Sequence, residues 1–175
     1  LGDPNVRLSG DGNVLTFDKY YDTSNARAFV YAWDETVEQW VQRGEDLYGT
    51  GTRWLQLNSI SYDGNRITLE EFQSNGGDGL IQVLQWSGTN WEALGDAIVG
   101  CDRCRISKAS LSGDGSHLIV GMQRLDTLAG YARVYQLTNN QWSPIGGKLE
   151  VPNVATSNLL TNIDHDGDRV VVATP

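Results

Sequence analysis

Apolar residues in this chain gather in short runs, each only long enough for one strand. Asn13–Phe17 (NVLTF), Phe29–Trp33 (FVYAW), Ile81–Trp86 (IQVLQW), His117–Gly121 (HLIVG) and Ala132–Leu137 (ARVYQL) are such runs, rich in β-branched and aromatic residues. Nowhere do apolar positions recur at i, i+3, i+4 and i+7 through a window of helical length. Between the runs stand clusters of Gly, Asn, Asp, Ser and Thr, residue types that turns require. The pattern predicts an all-β protein of short antiparallel strands.

The runs also repeat. LSGDGNVLTF (Leu8–Phe17) returns as ISYDGNRITL (Ile60–Leu69), LSGDGSHLIV (Leu111–Val120) and IDHDGDRVVV (Ile163–Val172). The turn glycines Gly12, Gly64, Gly115 and Gly167 lie 52, 51 and 52 residues apart. Trp40, Trp91 and Trp142 lie 51 apart both times, and the runs starting at Phe29, Ile81 and Ala132 fall between these markers. Three markers held in phase define a true repeat. Each unit reads as four strands. The first follows the Asp-Gly turn, the second follows a polar loop, the third starts at the Trp, and the fourth leads into the next turn. The turns before the Trp, Ser87–Asn90 and Thr138–Gln141, supply φ > 0 through Gly and Asn, and the first copy (Asp34–Gln39) is longer. On this reading Ser-x-Asp-Gly joins the last strand of one unit to the first of the next. Its Asp bonds local backbone and its Gly takes the left-handed conformation.

Four short antiparallel strands at a period of about 51 predict the blade of a β-propeller. A β-sandwich also has many short strands, but gives no reason for a Trp to recur at that interval. The units run about 8–59, 60–110 and 111–162, with a partial unit 163–175, so residues 1–175 form one propeller segment of about three and a half blades. Propellers typically close with about four to eight blades, because closure removes exposed strand edges. We therefore expect a segment of a longer propeller, or copies that associate to complete a ring or extend as a fibre.

The chain resembles a known kind of propeller repeat. The pattern is a Trp followed by a Gly, a short link to an apolar-Ser-x-Asp-Gly turn, and an apolar strand. Gly79–Gly100 and Gly130–Leu149 carry it best, and it covers essentially the whole chain. It is similar to the FG-GAP-like or kelch-like repeats of secreted and cell-surface proteins. That resemblance implies the architecture and leaves the activity open, because propellers host binding, enzymatic and structural roles alike. Integrin-type FG-GAP blades carry an Asp-x-Asp-x-Asp-Gly calcium loop, which the first three turns lack. Only Asp164, Asp166 and Asp168 approach it, and three carboxylates supply about half the oxygens that calcium takes. The simpler reading gives Asp164 the turn position held by Ser elsewhere.

Charge narrows the partners. The net charge is −9, the pI is near 4.5, and only Lys19, Lys108 and Lys148 are lysines. Such a field repels phosphate backbones and anionic membrane surfaces, so no nucleic-acid partner is expected. No apolar run is long enough to span a bilayer, so no membrane insertion is expected. Cys101 and Cys104 are the only cysteines. Neither a second pair nor the histidines of a zinc site accompany them. A local disulfide, two free thiols, or a catalytic or metal role remain open.

Little in the sequence points to catalysis. His117 and His165 stand beside successive turns in no metal-binding pattern and read as solvated. The acidic run Asp34–Glu38 could be taken for a glycosidase pair, but lies in a turn whose other copies carry no acid. The Ser-x-Asp-Gly turn lacks the Thr-Trp continuation of a sialidase Asp-box. Trp40, Trp91 and Trp142 read as packing residues. Trp33, Trp54 and Trp86 read first as packing residues too, with stacking on sugar rings as the alternative. We therefore expect no catalytic, cofactor-binding or metal residue and no cofactor. The function expected is a non-enzymatic, extracellular or cell-surface propeller, structural or protein-binding, presenting loops 18–27, 70–79 and 121–129 on one rim. Its partners would be proteins or further copies of itself. Glycan binding and a hydrolase site in the central channel are the alternatives.

Overall fold

The computed structural model describes residues 5–19, 26–49, 54–72, 79–101, 104–124, 126–127, 129–151 and 159–174. Among them are sixteen strands and no helix. The first sheet holds β1 (Val6–Leu8), β2 (Val14–Lys19), β3 (Arg27–Asp34), β4 (Gln39–Gln42) and β5 (Leu47–Tyr48). The second holds β6 (Trp54–Ile60), β7 (Arg66–Phe72), β8 (Leu80–Trp86), β9 (Trp91–Ala93) and β10 (Ile98–Val99). The third holds β11 (Cys104–Leu111), β12 (His117–Arg124), β13 (Gly130–Thr138) and β14 (Gln141–Val151). A two-stranded sheet, β15 (Leu160–Ile163) and β16 (Val170–Ala173), follows.

Every pairing is antiparallel, and each full sheet is a four-stranded meander. Its fourth strand is broken in the first two copies, so β4 and β5 both pair with β3, and β9 and β10 both pair with β8. In the third copy β14 stays continuous, absorbing the irregularity as a register shift opposite Ala132 and Val134. The hairpin turns carry the expected chemistry. Asn139 and Asn140 both take positive φ (51° and 59°), the conformation of a two-residue turn that matches strand twist.

The repeat period is the sheet period, but the Ser-x-Asp-Gly turn sits elsewhere than the sequence reading put it. It joins β1 to β2, β6 to β7, β11 to β12 and β15 to β16, so it lies inside a sheet rather than between sheets. The cause is local. The Gly12 N–H bonds Ser9 C=O at 3.0 Å, Gly12 has φ +79°, and the chain folds straight back on itself. The crossing to the next sheet comes after the outer strand.

Burial follows from stacking these sheets face to face. One core joins Val14, Ala28 and Val30 of the first sheet to Leu55, Leu57 and Ile67 of the second. The next joins Ile81, Val83 and Leu94 to Ile106, Leu118, Val120 and Trp142. A third joins Ile119 and Ala132 to Leu159 and Ile163. Inner sheets are thus covered on both faces, which is why β12 is buried from Leu118 to Gln123 without alternation.

Candidate functional site

The four turns form a linked rim. In three of them a Ser hydroxyl donates to the Asp carboxylate two residues on, at 2.6 Å: Ser9–Asp11, Ser61–Asp63 and Ser112–Asp114. The same hydroxyl accepts the N–H five residues on, from Val14, Arg66 and His117. In the fourth turn Asp164 Oδ1 accepts the Arg169 N–H at 3.1 Å, taking over the Ser role as expected. Burial pushes the Asp63 and Asp114 carboxyls up, but hydrogen bonds from Ser and from backbone outweigh it and hold both below 3.8. Successive turns also bond one another: Asp11 N–H to Tyr62 C=O (3.0 Å), Tyr62 N–H to Gly113 C=O (2.7 Å), and Asp114 N–H to His165 C=O (3.0 Å). His165 is exposed, as expected of a turn histidine, but also packs between turns. Its ring lies where a Gly113 Cβ would be and meets the Tyr62 ring edge-on, with centroids 5.3 Å apart.

The periodic tryptophans lock neighbouring sheets. Trp91 Nε1 donates to Arg43 C=O at 2.8 Å, and Trp142 Nε1 donates to Leu94 C=O at 2.9 Å. Each acceptor precedes a positive-φ glycine, Gly44 or Gly95, against which the incoming indole packs. This explains the Trp–Gly spacing, since a side chain at that glycine would strain the backbone and crowd the ring. Arg43 completes the first junction, with its guanidinium over Trp86 (4.9 Å) and a bond to Gly64 C=O (3.1 Å). Both ends of the stack show unfilled locks. Trp40 is 38% exposed where Trp142 is 9%, and Leu8 is 55% exposed where its repeat counterpart Leu111 is 6%. At the other end Ile145 is 39% exposed where its counterpart Leu94 is 7%, and among the described residues nothing stands against Gly146.

The innermost strands β1, β6, β11 and β15 stand side by side and, with β16, line a groove of about 600 Å³. Side-chain bonds stitch them: Arg7 Nε to Asn58 C=O (3.2 Å), Leu111 N–H to Ser59 Oγ (2.9 Å), and Ser110 Oγ to Thr161 C=O (2.8 Å). Among the described residues, Arg7 and Lys108 are the charged side chains of the lining. Buried Glu70 of β7 is held by Asn58 Nδ2 at 2.5 Å. Burial raises its pKa to about 7, against the opposing pull of the Asn58 bond and of the Lys108 and Arg105 charges. Burial also lowers the pKa of Lys108, with Arg7 adding to the effect and Glu70 opposing it. Asp18, fully buried nearby, is occupied by backbone, accepting the N–H groups of Asn5 (3.0 Å) and Leu57 (3.1 Å).

The other candidates scatter. Cys101 and Cys104 are joined by a disulfide. Trp33 pairs edge-on with Trp40 at 5.7 Å, while Trp86 is covered by Arg43, and the side chain of Trp54 lies outside the described residues. Trp33 and Trp86 do line one shallow groove of about 420 Å³. Asp34 caps its own turn by accepting from Thr36, and it and the adjacent Glu35 stand on the lining of that same shallow groove. Most of loops 18–27 and 70–79, and parts of 121–129, lie outside the described residues. Arg7, Asn58, Glu70 and Lys108 escaped sequence reasoning, because the strand before each turn reads as the last of a unit and Glu70 reads as the start of the polar loop 70–79. Glu70, a carboxylate inside the apolar run ITLEE, was the available signal.

No protein-family model matches the chain, and no curated protein matches it in sequence. Solved structures do share its fold. The β-propeller domain of the Trilobed protease from Pyrococcus furiosus matches with a TM-score of 0.56 at 12% identity, over 99% of this chain and 48% of that one. A candidate 6-phosphogluconolactonase from Bacteroides fragilis matches with a TM-score of 0.59 at 16% identity, over 98% and 48%. A structure from work on two prolyl endopeptidases matches with a TM-score of 0.56 at 13% identity, over 97% and 24%. The fold is that of a β-propeller, present among the described residues as three blades built on four-stranded meanders and a two-stranded sheet. The chain spans about half the length of the first structures it matches. The expectation of a protein without enzymatic activity is corrected here, since chains named as enzymes carry the same fold. The physical reason is that a propeller assembles polar groups from separate blades. Arg7, Glu70 and Lys108 come together from three sheets with no linear motif to record it.

Proposed function

We propose that the chain is a protein-binding propeller module of an extracellular or cell-surface protein, built on an FG-GAP-like or kelch-like repeat. Its two open blade faces take further blades of the same repeat, from a longer chain or from further copies. One observation carries this reading: positions buried or half-buried at the internal junctions, as Trp142, Leu111, Leu94 and Ile98 are buried and Trp91 and Ile60 half-buried, are uncovered at both ends. Trp40 and Leu8 at one end, and Ile145 and Leu149 at the other, leave apolar area that a propeller elsewhere covers with a neighbouring blade. The Cys101–Cys104 disulfide supports an oxidising compartment. Rim loops that differ between copies on a constant frame support recognition by the rim. Light scattering after gel filtration tests the reading. Concentration-dependent association is expected, and Leu8→Glu with Trp40→Glu is expected to abolish it. A wild-type chain that stays a cooperatively melting monomer at every concentration would overturn it.

A further inference from the structure

We propose that the groove between the innermost strands binds a small polar molecule through a carboxylate or phosphate group, held by Arg7 and Lys108. Three observations converge on it. In a chain of net charge −9, this lining carries two cations and, among the described residues, no acid. The ammonium of half-buried Lys108 makes no hydrogen bond or ion pair with described residues, and Arg7 uses its guanidinium only on the carbonyls of Asn58 and Val6. Two like charges that feel each other in a partly desolvated groove are costly unless an anion lies between them. The acid beneath, Glu70, is turned to Asn58.

The rest of the wall limits the ligand. A volume of about 600 Å³ suits a molecule rather than a lone ion. Ser59, Ser110 and Thr161 spend their hydroxyls on stitching the strands, so the two cations carry the recognition. An Arg fork beside a Lys point charge is a common arrangement for oxyanions.

The 175-residue chain, titrated by amide NMR with inorganic phosphate and separately with acetate at constant ionic strength, tests the proposal. Saturable shifts at Lys108, Ser110 and Thr161 are expected for at least one probe, in about the millimolar range. Saturation by phosphate alone assigns a phosphate ligand, and saturation by acetate alone a carboxylate. Lys108→Gln and Arg7→Gln should each weaken binding about tenfold, the loss of one charge-assisted hydrogen bond. Lys108→Arg should keep it, which separates recognition from any folding defect. Glu70→Gln should bind at least as tightly. No saturation by either probe, or unchanged binding in both Gln variants of the cations, would overturn the proposal.

Discussion

Glu70→Gln should make the stability of this protein nearly independent of pH between 5 and 8. In the unfolded chain the Glu70 carboxyl titrates near its ordinary 4.5, whereas burial raises it to about 7 in the fold. Between those values the folded state keeps a proton that the unfolded state has released. Stability is therefore highest below 4.5 and falls as pH rises through 7. The gap corresponds to about 3 kcal/mol at about 1.4 kcal/mol per unit, most of it between pH 5 and 8. The turn carboxylates Asp11, Asp63 and Asp114 do not blur this window. Their pKa values are lowered below 3.8, so their contribution is present above 3.8 and lost only in stronger acid. Gln keeps an oxygen for the Asn58 donor and carries no charge at either pH. Urea unfolding followed by tryptophan fluorescence, at pH 5 and pH 8 for both proteins, measures the difference. The wild type should lose about 2–3 kcal/mol on going to pH 8 and the variant much less. An equal loss in both would show that Glu70 is not the group responsible.

Trp142→Ala should destabilise the chain by about 3–5 kcal/mol, since it empties a buried site and breaks the bond to Leu94, whereas Trp40→Ala should cost under about 1 kcal/mol. Equal costs in urea unfolding would refute the blade-lock account. Gly113→Ala should cost about 1 kcal/mol by pressing its Cβ into the His165 ring, and His165→Ala in the same chain should relieve it. Additive effects in that double-mutant cycle would show that the ring yields freely. Replacing Cys101 and Cys104 together by Ser should lower stability by about 2 kcal/mol, the small chain-entropy term of a very short loop, read from the shift in thermal midpoint.

The period was legible because each marker residue does a job that few others can. Ser9 accepts the Val14 N–H while donating to Asp11, Gly12 takes a left-handed φ, and Trp91 reaches a carbonyl beside Gly44. Residues chosen for such local tasks return wherever the task returns, so all-β blades with these turns could be read directly. The placement of the turn within a blade was not legible. A Ser-x-Asp-Gly turn looks the same whether it joins strands of one sheet or of two, and only the pairing of β6 with β7 decides. That placement hid the groove. Strands read as the ends of units proved innermost, so Arg7 and Lys108 face a groove instead of bulk solvent.

The variable position of the turn shows how far the repeat is more than a stack of equal parts. Gly10, Tyr62, Gly113 and His165 occupy it in succession. A Cβ at Gly10 would overlap the Tyr62 ring, and one at Gly113 would overlap His165. Large and absent side chains therefore alternate because each ring lies over the turn of the preceding sheet. The rings then span the gap, and Tyr62 meets His165 across the third sheet's turn at 5.3 Å. A purely nearest-neighbour array would couple only adjacent blades. Here the second and fourth sheets touch directly, while the backbone bonds from Asp11 to Tyr62, Tyr62 to Gly113, and Asp114 to His165 tie each adjacent pair. The rim thus holds the inner strands in a fixed relation to one another, and those same strands carry Arg7 and Lys108 into one groove.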